Sequence, residues 1–329
     1  MKSESPNLAG PFADEMAAFL KYKRQLRKSY LTEEFDLRLF DRYLHQQEIT
    51  EKQKVTNIVV EAFLNSRPRK TSRSYNSLLG ALRRFFAWLV MQEILSQSPV
   101  CIQPRRRGIA RRPFILSCAQ VEQLLNAAVN LRTTKHAPRR GHTYKMIFAL
   151  LFTLGLRVSE VTNLKIKDVD LERHLLIIRE TKFLKSRLVP FGPNLAERLV
   201  TYIAFCCANG RTPEQPLFSF DPKRNRPVAR GSIGSTFRRL LPCLNLQLRP
   251  GDNRPRLHDL RHSMAVGTLL RWYREGKDPS NLLIQLSTYL GHSDISSTAV
   301  YLEMTEELLH VAGQRFEQFA SPLIGGKNT

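Results

Sequence analysis

The sequence predicts a mainly α-helical protein with one small antiparallel β-sheet (α+β), arranged as two domains in tandem. Three observations lead there. At 329 residues the chain exceeds one typical small domain. Apolar residues recur at helical spacing along most of it, and a strand pattern shows only near residues 175–190. A segment with proline at both ends and five arginines in ten residues, Pro104–Pro113, parts two basic halves. The expected layout is a helical domain over 11–98, a linker over 99–113, a second domain over 114–317 and a tail over 318–329.

In the first part, Met16, Phe19, Leu20 and Leu26 form one helical stripe. Val59, Val60, Phe63 and Leu64 form the next, and Leu78, Leu79, Leu82, Phe85, Phe86, Leu89 and Val90 a third. These are core positions. Ahead of the third stripe, Arg67, Arg69, Lys70 and Arg73 crowd around Thr71 and Ser72, good N-cap residues. Cations beside hydroxyls at a helix start make a seat for phosphate. In the Pro104–Pro113 segment, the prolines and Gly108 argue against a helix and the like charges repel, so Arg105, Arg106, Arg107, Arg111 and Arg112 are expected on an extended linker that touches phosphates.

Beyond Pro113, Ser117 ahead of Val121, Leu124 and Leu125 reads as a capped helix, and Met146–Leu156 as a buried one. Leu175–Arg179 and Arg187–Pro190 read as the strands of a hairpin. Helices then dominate, among them Ser263–Arg274, Leu282–Leu290 and Thr305–Phe319. No internal repeat is visible.

Composition narrows the function. Fifty-one Lys plus Arg against twenty-nine Asp plus Glu give a net charge of +22, and both sides of Pro113 are basic, which points to a polyanionic partner, nucleic acid first. The five cysteines, Cys101, Cys118, Cys206, Cys207 and Cys243, contain no CxxC pair and suit neither a zinc site nor a disulfide framework. No stretch resembles a signal peptide or is long and apolar enough to span a bilayer, so a reducing, cytoplasmic compartment is expected.

Six residues suit chemistry on a phosphate without a metal or other cofactor: Arg157, Lys182, His258, Arg261, His292 and Tyr301. Arg157 follows a glycine that interrupts the apolar run, with Glu160 three residues on to hold it. His258 and Arg261 share a helix face if their segment is helical. His292 sits after a glycine that suits a helix end, and Tyr301 lies nine residues beyond.

Taken in order, Gly155-Leu-Arg-Val-Ser-Glu160, His258-Asp-Leu-Arg-His262 and Leu290-Gly-His-Ser293 with Tyr301 resemble the catalytic domain of the tyrosine recombinases, the phage integrase family. The resemblance covers residues 114–317 by motif and the first 98 by position and pattern. It implies a two-domain C-shaped clamp on double-stranded DNA: a SAM-like core-binding domain, the arginine-rich linker, and a helical catalytic domain with a small sheet. Tyr301 would attack the scissile phosphate, leaving a 3′-phosphotyrosyl bond and a free 5′-hydroxyl. Arg157 and Arg261 would clamp the non-bridging oxygens, as phosphoryl transfer needs preorganised cations where charge builds. His258 and His292 would add hydrogen bonds and help move the tyrosine proton.

A hairpin lysine would protonate the leaving oxygen. Where the family usually has glycines around that lysine, this chain has Thr181 and Phe183; alignment through Arg187 and Pro190 favours Lys182, with Lys185 the alternative. Arg271–Pro279 looks like an insertion that lengthens a helix or loop.

The family further implies a homo-tetramer on a specific recombination site, working alone or with a paralogous recombinase through a Holliday junction. The helix at 306–319 would dock into a neighbouring subunit. No membrane or small-molecule substrate is expected, and the setting would be prokaryotic and nucleoid-associated. Two other readings stay open: a monomeric type IB topoisomerase-like nicking and rejoining enzyme, and a catalytically silent DNA-binding accessory protein.

Overall fold

A computed structural model of the chain describes residues 8–26, 30–106, 108, 111–134, 137–179, 186–220, 225–248, 253–277, 279–292, 294–303 and 313. Two compact units divide the chain, residues 1–110 and residues 111–329.

The first unit is helical: α1 (Ala13–Gln25), α2 (Leu31–Gln46), α3 (Asn57–Ser66) and α4 (Ser72–Met91). Its core mixes aliphatic side chains with a network of aromatic rings. Phe40 meets Phe63 edge-on at 5.0 Å, and Phe12 meets Phe86 at 5.6 Å, geometries that stabilise ring pairs beyond their buried area. Thr71 caps α4 by accepting from the Ser74 amide at 3.2 Å.

Two corrections apply here. Leu26 is not on the core stripe; it follows the last turn of α1 and is 49% exposed. Helix α2 lies between the first two predicted stripes. Its buried face includes Asp36 and Asp41 beside Leu37, Phe40 and Leu44, and these carboxylates break the apolar pattern. Both are satisfied. Asp41 accepts from the Ala9 and Gly10 amides at 3.0 and 2.9 Å, and Asp36 faces Arg69 at 3.5 Å.

The chain leaving α4 stays on this unit. Val100 is buried, Arg83 donates to the Ile102 carbonyl, and the Asn76 side chain exchanges two hydrogen bonds with the Arg105 backbone. The start of the arginine-rich segment is therefore extended and pinned along α4.

The second unit contains α5 (Cys118–Val129), α6 (Arg140–Thr153), α7 (Val158–Asn163), β1 (Val169–Asp170), β2 (Leu175–Ile178), β3 (Arg187–Pro190), α8 (Pro193–Ala208), α9 (Arg230–Leu240), α10 (Asp259–Arg274), α11 (Pro279–Leu290) and α12 (Ser296–Ala299). Ser117 and Gln120 cap α5 reciprocally, at 3.0 and 3.2 Å. From Met146 to Leu151 helix α6 is apolar and buried all round, because it runs through the middle of this unit, packed against α5 and α10.

The hairpin strands pair with Leu176 opposite Val189 and Ile178 opposite Arg187. A third, two-residue strand, β1, extends the sheet in the order β1-β2-β3, too short to leave a sequence signal. Alternation on β2 sends Leu176 and Ile178 into the core.

Helix α10 starts four residues before the predicted Ser263, because Asp259 is buried and locks the first turn by accepting from the Arg256 amide at 2.8 Å. Within the segment that looks like an insertion, Arg271–Arg274 are the last turn of α10, and Gly276, at φ +76°, follows it in a turn. Residues 180–185, between β2 and β3, and the predicted helix at Thr305–Phe319 apart from Gly313, lie outside the described residues. Among the described residues no helix is long and apolar enough to cross a membrane.

Candidate active site

The site is organised around one buried carboxylate. Helix α6 ends at Thr153, and Gly155 turns the chain at φ +58°, where a Cβ would approach Leu290 Cδ2 to 2.9 Å. Arg157 then opens α7, placing Glu160 beneath it. The Glu160 side chain is 3% exposed and accepts from the Arg157 backbone amide at 2.9 Å and from Arg157 Nη1 at 2.8 Å. Arg187, on β3, adds a bidentate pair at 2.9 Å through both Nη atoms. Burial opposes ionisation of Glu160, but Arg187 and Arg157 outweigh it and hold the carboxyl below the usual carboxylate range.

The second guanidinium is more deeply set. Arg261 is 1% exposed, and donates to the Gly155 carbonyl at 2.6 Å and the Leu290 carbonyl at 2.7 Å. Arg157 donates to the next carbonyl, Gly291, at 2.7 Å. Adjacent peptide oxygens at the end of α11 thus draw the two cations together. Burial, reinforced by Arg157, lowers Arg261 to about 10, which leaves it charged at neutral pH. Gly291, at φ +67°, leaves room for Arg187 instead: a Cβ there would sit 2.7 Å from Arg187 Nη1.

The third part is a run of rings. His258 precedes α10, and its ring lies edge-on to that of His262, centroids 4.6 Å apart. His262 in turn is edge-on to Tyr301, with Nδ1 3.1 Å from the phenol oxygen. His292 lies near-parallel to Tyr301 at 6.3 Å, fixed by a 2.7 Å hydrogen bond between its Nδ1 and Thr298 Oγ1. Tyr301 is 2% exposed, and burial raises its phenol above the ordinary value against the opposing charges of Arg261 and Arg157. Burial also pushes His258 and His292 down to about 4, with neighbouring cations adding to it, and lowers His262. All three imidazoles are held neutral at pH 7, able to accept a proton.

Of the residues singled out in the sequence, Arg157, Glu160, Arg261, His292 and Tyr301 converge here, and His258 joins them through the His262 ring. Lys182 and Lys185 lie outside the described residues. Arg187 and His262 are additions. The first served only to align the hairpin, and its role depends on β3 running beside α7. The second stands four residues after His258 on one helix face, which is the signal that identifies it.

The basic residues expected at DNA divide. Arg67, Arg69, Lys70 and Arg73 surround the start of α4, with Arg69 turned inward to Asp36. The Arg105 guanidinium lies 3.7 Å over the Tyr75 ring. Arg106 and Arg112 are exposed, Arg111 reaches the Arg254 carbonyl, and Arg107 lies outside the described residues.

A helical domain followed by a helical domain with a three-stranded sheet is the architecture of an integrase-type recombinase, and the comparisons agree. Residues 115–307 match the phage integrase family, and residues 17–93 match the phage integrase N-terminal SAM-like domain. The chain belongs to the phage integrase family of tyrosine recombinases. It is 35% identical to a Sinorhizobium fredii protein named as integrase/recombinase y4rB, over 77% of this chain and 81% of that one. It is 28% identical to the tyrosine recombinase XerC of Bacillus licheniformis, over 82% and 84% of the two chains. Among solved structures, the Tn1549 transposon integrase in complex with transposon right end DNA has the same fold, with TM-score 0.63 and 17% identity over 93% of this chain and 98% of that one. So does the XerH recombinase bound to its difH substrate, with TM-score 0.59 and 19% identity over 89% and 79%.

Proposed function

We propose that this enzyme is a site-specific DNA recombinase that cuts and rejoins double-stranded DNA through a 3′-phosphotyrosyl intermediate. The observation behind this reading is the tethering of Arg157 and Arg261 to adjacent carbonyls beside Tyr301. Two fixed guanidiniums suit the equatorial oxygens of a phosphoryl group in transfer, and a phenol nearby supplies a nucleophile. Glu160, neutralised by two arginines, orients Arg157 without presenting net negative charge to the phosphate.

Tyr301 attacks phosphorus and the 5′-oxygen leaves. Arg157 and Arg261 bind the non-bridging oxygens, while His258 and His292 hydrogen-bond the phosphate and assist proton movement. Lys182, on the connection between β2 and β3, protonates the leaving oxygen. The bond energy is kept in the covalent intermediate, so no metal, nucleotide or other cofactor is used. Arg67, Lys70, Arg73 and Arg105–Arg107 with Arg111 and Arg112 contact the backbone and position the duplex. Four subunits exchange strands in two steps through a Holliday junction in the cytoplasm, each docking its 306–319 segment into a neighbour.

The test begins by selecting bound sequences from a random duplex pool. A radiolabelled duplex with the selected site is then incubated with the protein. A covalent adduct is expected that is lost in Tyr301→Phe, and an adduct persisting in that variant refutes the assignment. Joining of strands between two duplexes is expected as well; nicking and relaxation of supercoils without joining would instead favour a topoisomerase.

A further inference from the structure

We infer that His262 is a catalytic residue of this enzyme, the immediate acceptor of the Tyr301 proton. The inference rests on the proposed nucleophilic role of Tyr301. Two side chains approach the Tyr301 phenol oxygen: the Arg261 guanidinium, which can only donate a hydrogen bond, and Nδ1 of His262 at 3.1 Å, which can accept one. For Nδ1 to accept, the imidazole proton sits on Nε2. Neither other histidine of the site has this geometry: His258 meets the His262 ring, and the Nδ1 of His292 is committed to Thr298.

The surroundings keep His262 ready to accept. It is partly buried on α10; Asp259 favours its charged form, while Arg256 and Arg261 disfavour it, and among the described residues the rings of His258, His292 and Tyr301 also face it. Burial leads the balance and lowers the imidazole below the ordinary histidine value, so it is neutral at pH 7.

In the forward step a lone pair on the Tyr301 oxygen forms the bond to phosphorus and the bond from phosphorus to the 5′-oxygen breaks. The phenol proton passes to Nδ1, giving an imidazolium, while the leaving oxygen takes a proton from the hairpin lysine. On rejoining, the 5′-hydroxyl attacks, the tyrosyl–phosphorus bond breaks and the imidazolium returns its proton to the phenolate. His258, beside the His262 ring and itself neutral, leaves room for that transient charge.

The test uses the full-length protein and a duplex with a 5′-bridging sulfur at the cleavage position, whose leaving thiolate needs no acid. His262→Asn keeps a hydrogen-bonding group near the Nδ1 position but cannot take the proton. Adduct formation at pH 7 is expected to fall by about 10²–10⁴-fold, the usual contribution of a general base. The rate of the variant is expected to climb toward pH 9 as the phenol ionises unaided, with DNA affinity unchanged, while wild type is flat over that range. A His262→Asn rate within threefold of wild type at every pH overturns the inference and leaves the Tyr301 reading standing; adduct formation by Tyr301→Phe defeats that reading instead. A readout independent of any variant is ¹⁵N NMR of the wild-type histidines: an Nδ1–H tautomer at His262 also overturns the inference.

Discussion

Arg187→Ala tests the idea that Glu160 is the mechanical centre of the site. The substitution deletes three donors: Nη1 and Nη2 to the Glu160 carboxylate and Nε to the Tyr289 carbonyl, each at 2.9 Å. Breaking a buried ion pair by removing one partner costs about 3–5 kcal/mol, and because Glu160 keeps both Arg157 contacts the lower end, about 3 kcal/mol, is expected. For a unit of this size that corresponds to a fall in Tm of about 6–12 °C. Trp88 and Trp272 are the two tryptophans, one in each unit, so urea unfolding in a Trp88→Phe background follows the second unit alone.

The pH dependence supplies a second reading of the same variant. The Glu160 carboxyl is depressed in the folded state, so its ion pairs stabilise fully above the ordinary value of 4.5 and are lost as pH falls through the lower folded value. The gap between wild type and Arg187→Ala should be constant from pH 7 to about pH 5 and begin to narrow only below the ordinary carboxylate value. A gap under about 1 kcal/mol at pH 7, or one that widens as pH falls, would refute the reasoning.

Three further outcomes are expected. Gly291→Ala forces a left-handed alanine, costing about 1–2 kcal/mol, and displaces Arg187 as well, so its penalty in urea unfolding should drop to the strain alone when Arg187 is already alanine. His258 and His292 titrate near 4 when folded and near 6.5 when unfolded, so the unfolded chain takes up protons first and stability should fall as pH drops from about 6.5 to 4; His292→Gln should lose less over that window by the same assay. Ser117→Ala removes the acceptor that caps α5 and should cost about 1 kcal/mol without changing adduct formation, measured by unfolding and by the covalent-adduct assay.

The sequence was most legible where local rules decide structure. Ser117 announces a helix start by chemistry that needs no tertiary partner, and Leu175–Arg179 and Arg187–Pro190 stand out as the two strands of a hairpin. Helix α2 was missed because Asp36 and Asp41 occupy its inner face, and only the Ala9 and Gly10 amides and Arg69, distant in sequence, make that face acceptable. Within the site, the order of motifs brought out Arg157, Arg261, His292 and Tyr301. Arg187 and His262 were not recognised, since one acquires its role when a strand passes a helix and the other when a phenol arrives from a different segment. Sequence order holds no record of either meeting.

The carbonyls of Leu290 and Gly291 hold the side chains of Arg261 and Arg157. This has a consequence for anyone building hybrids of such enzymes. A nucleophile segment transplanted from a relative at a joint between Gly291 and Tyr301 would keep the host's cations but lose control of the angle at which its own backbone meets them. Exchanged before α11, the same segment brings its anchoring peptide with it. The unit of inheritance for this chemistry is the stretch from the start of α11 through Tyr301, and the tyrosine alone is not portable.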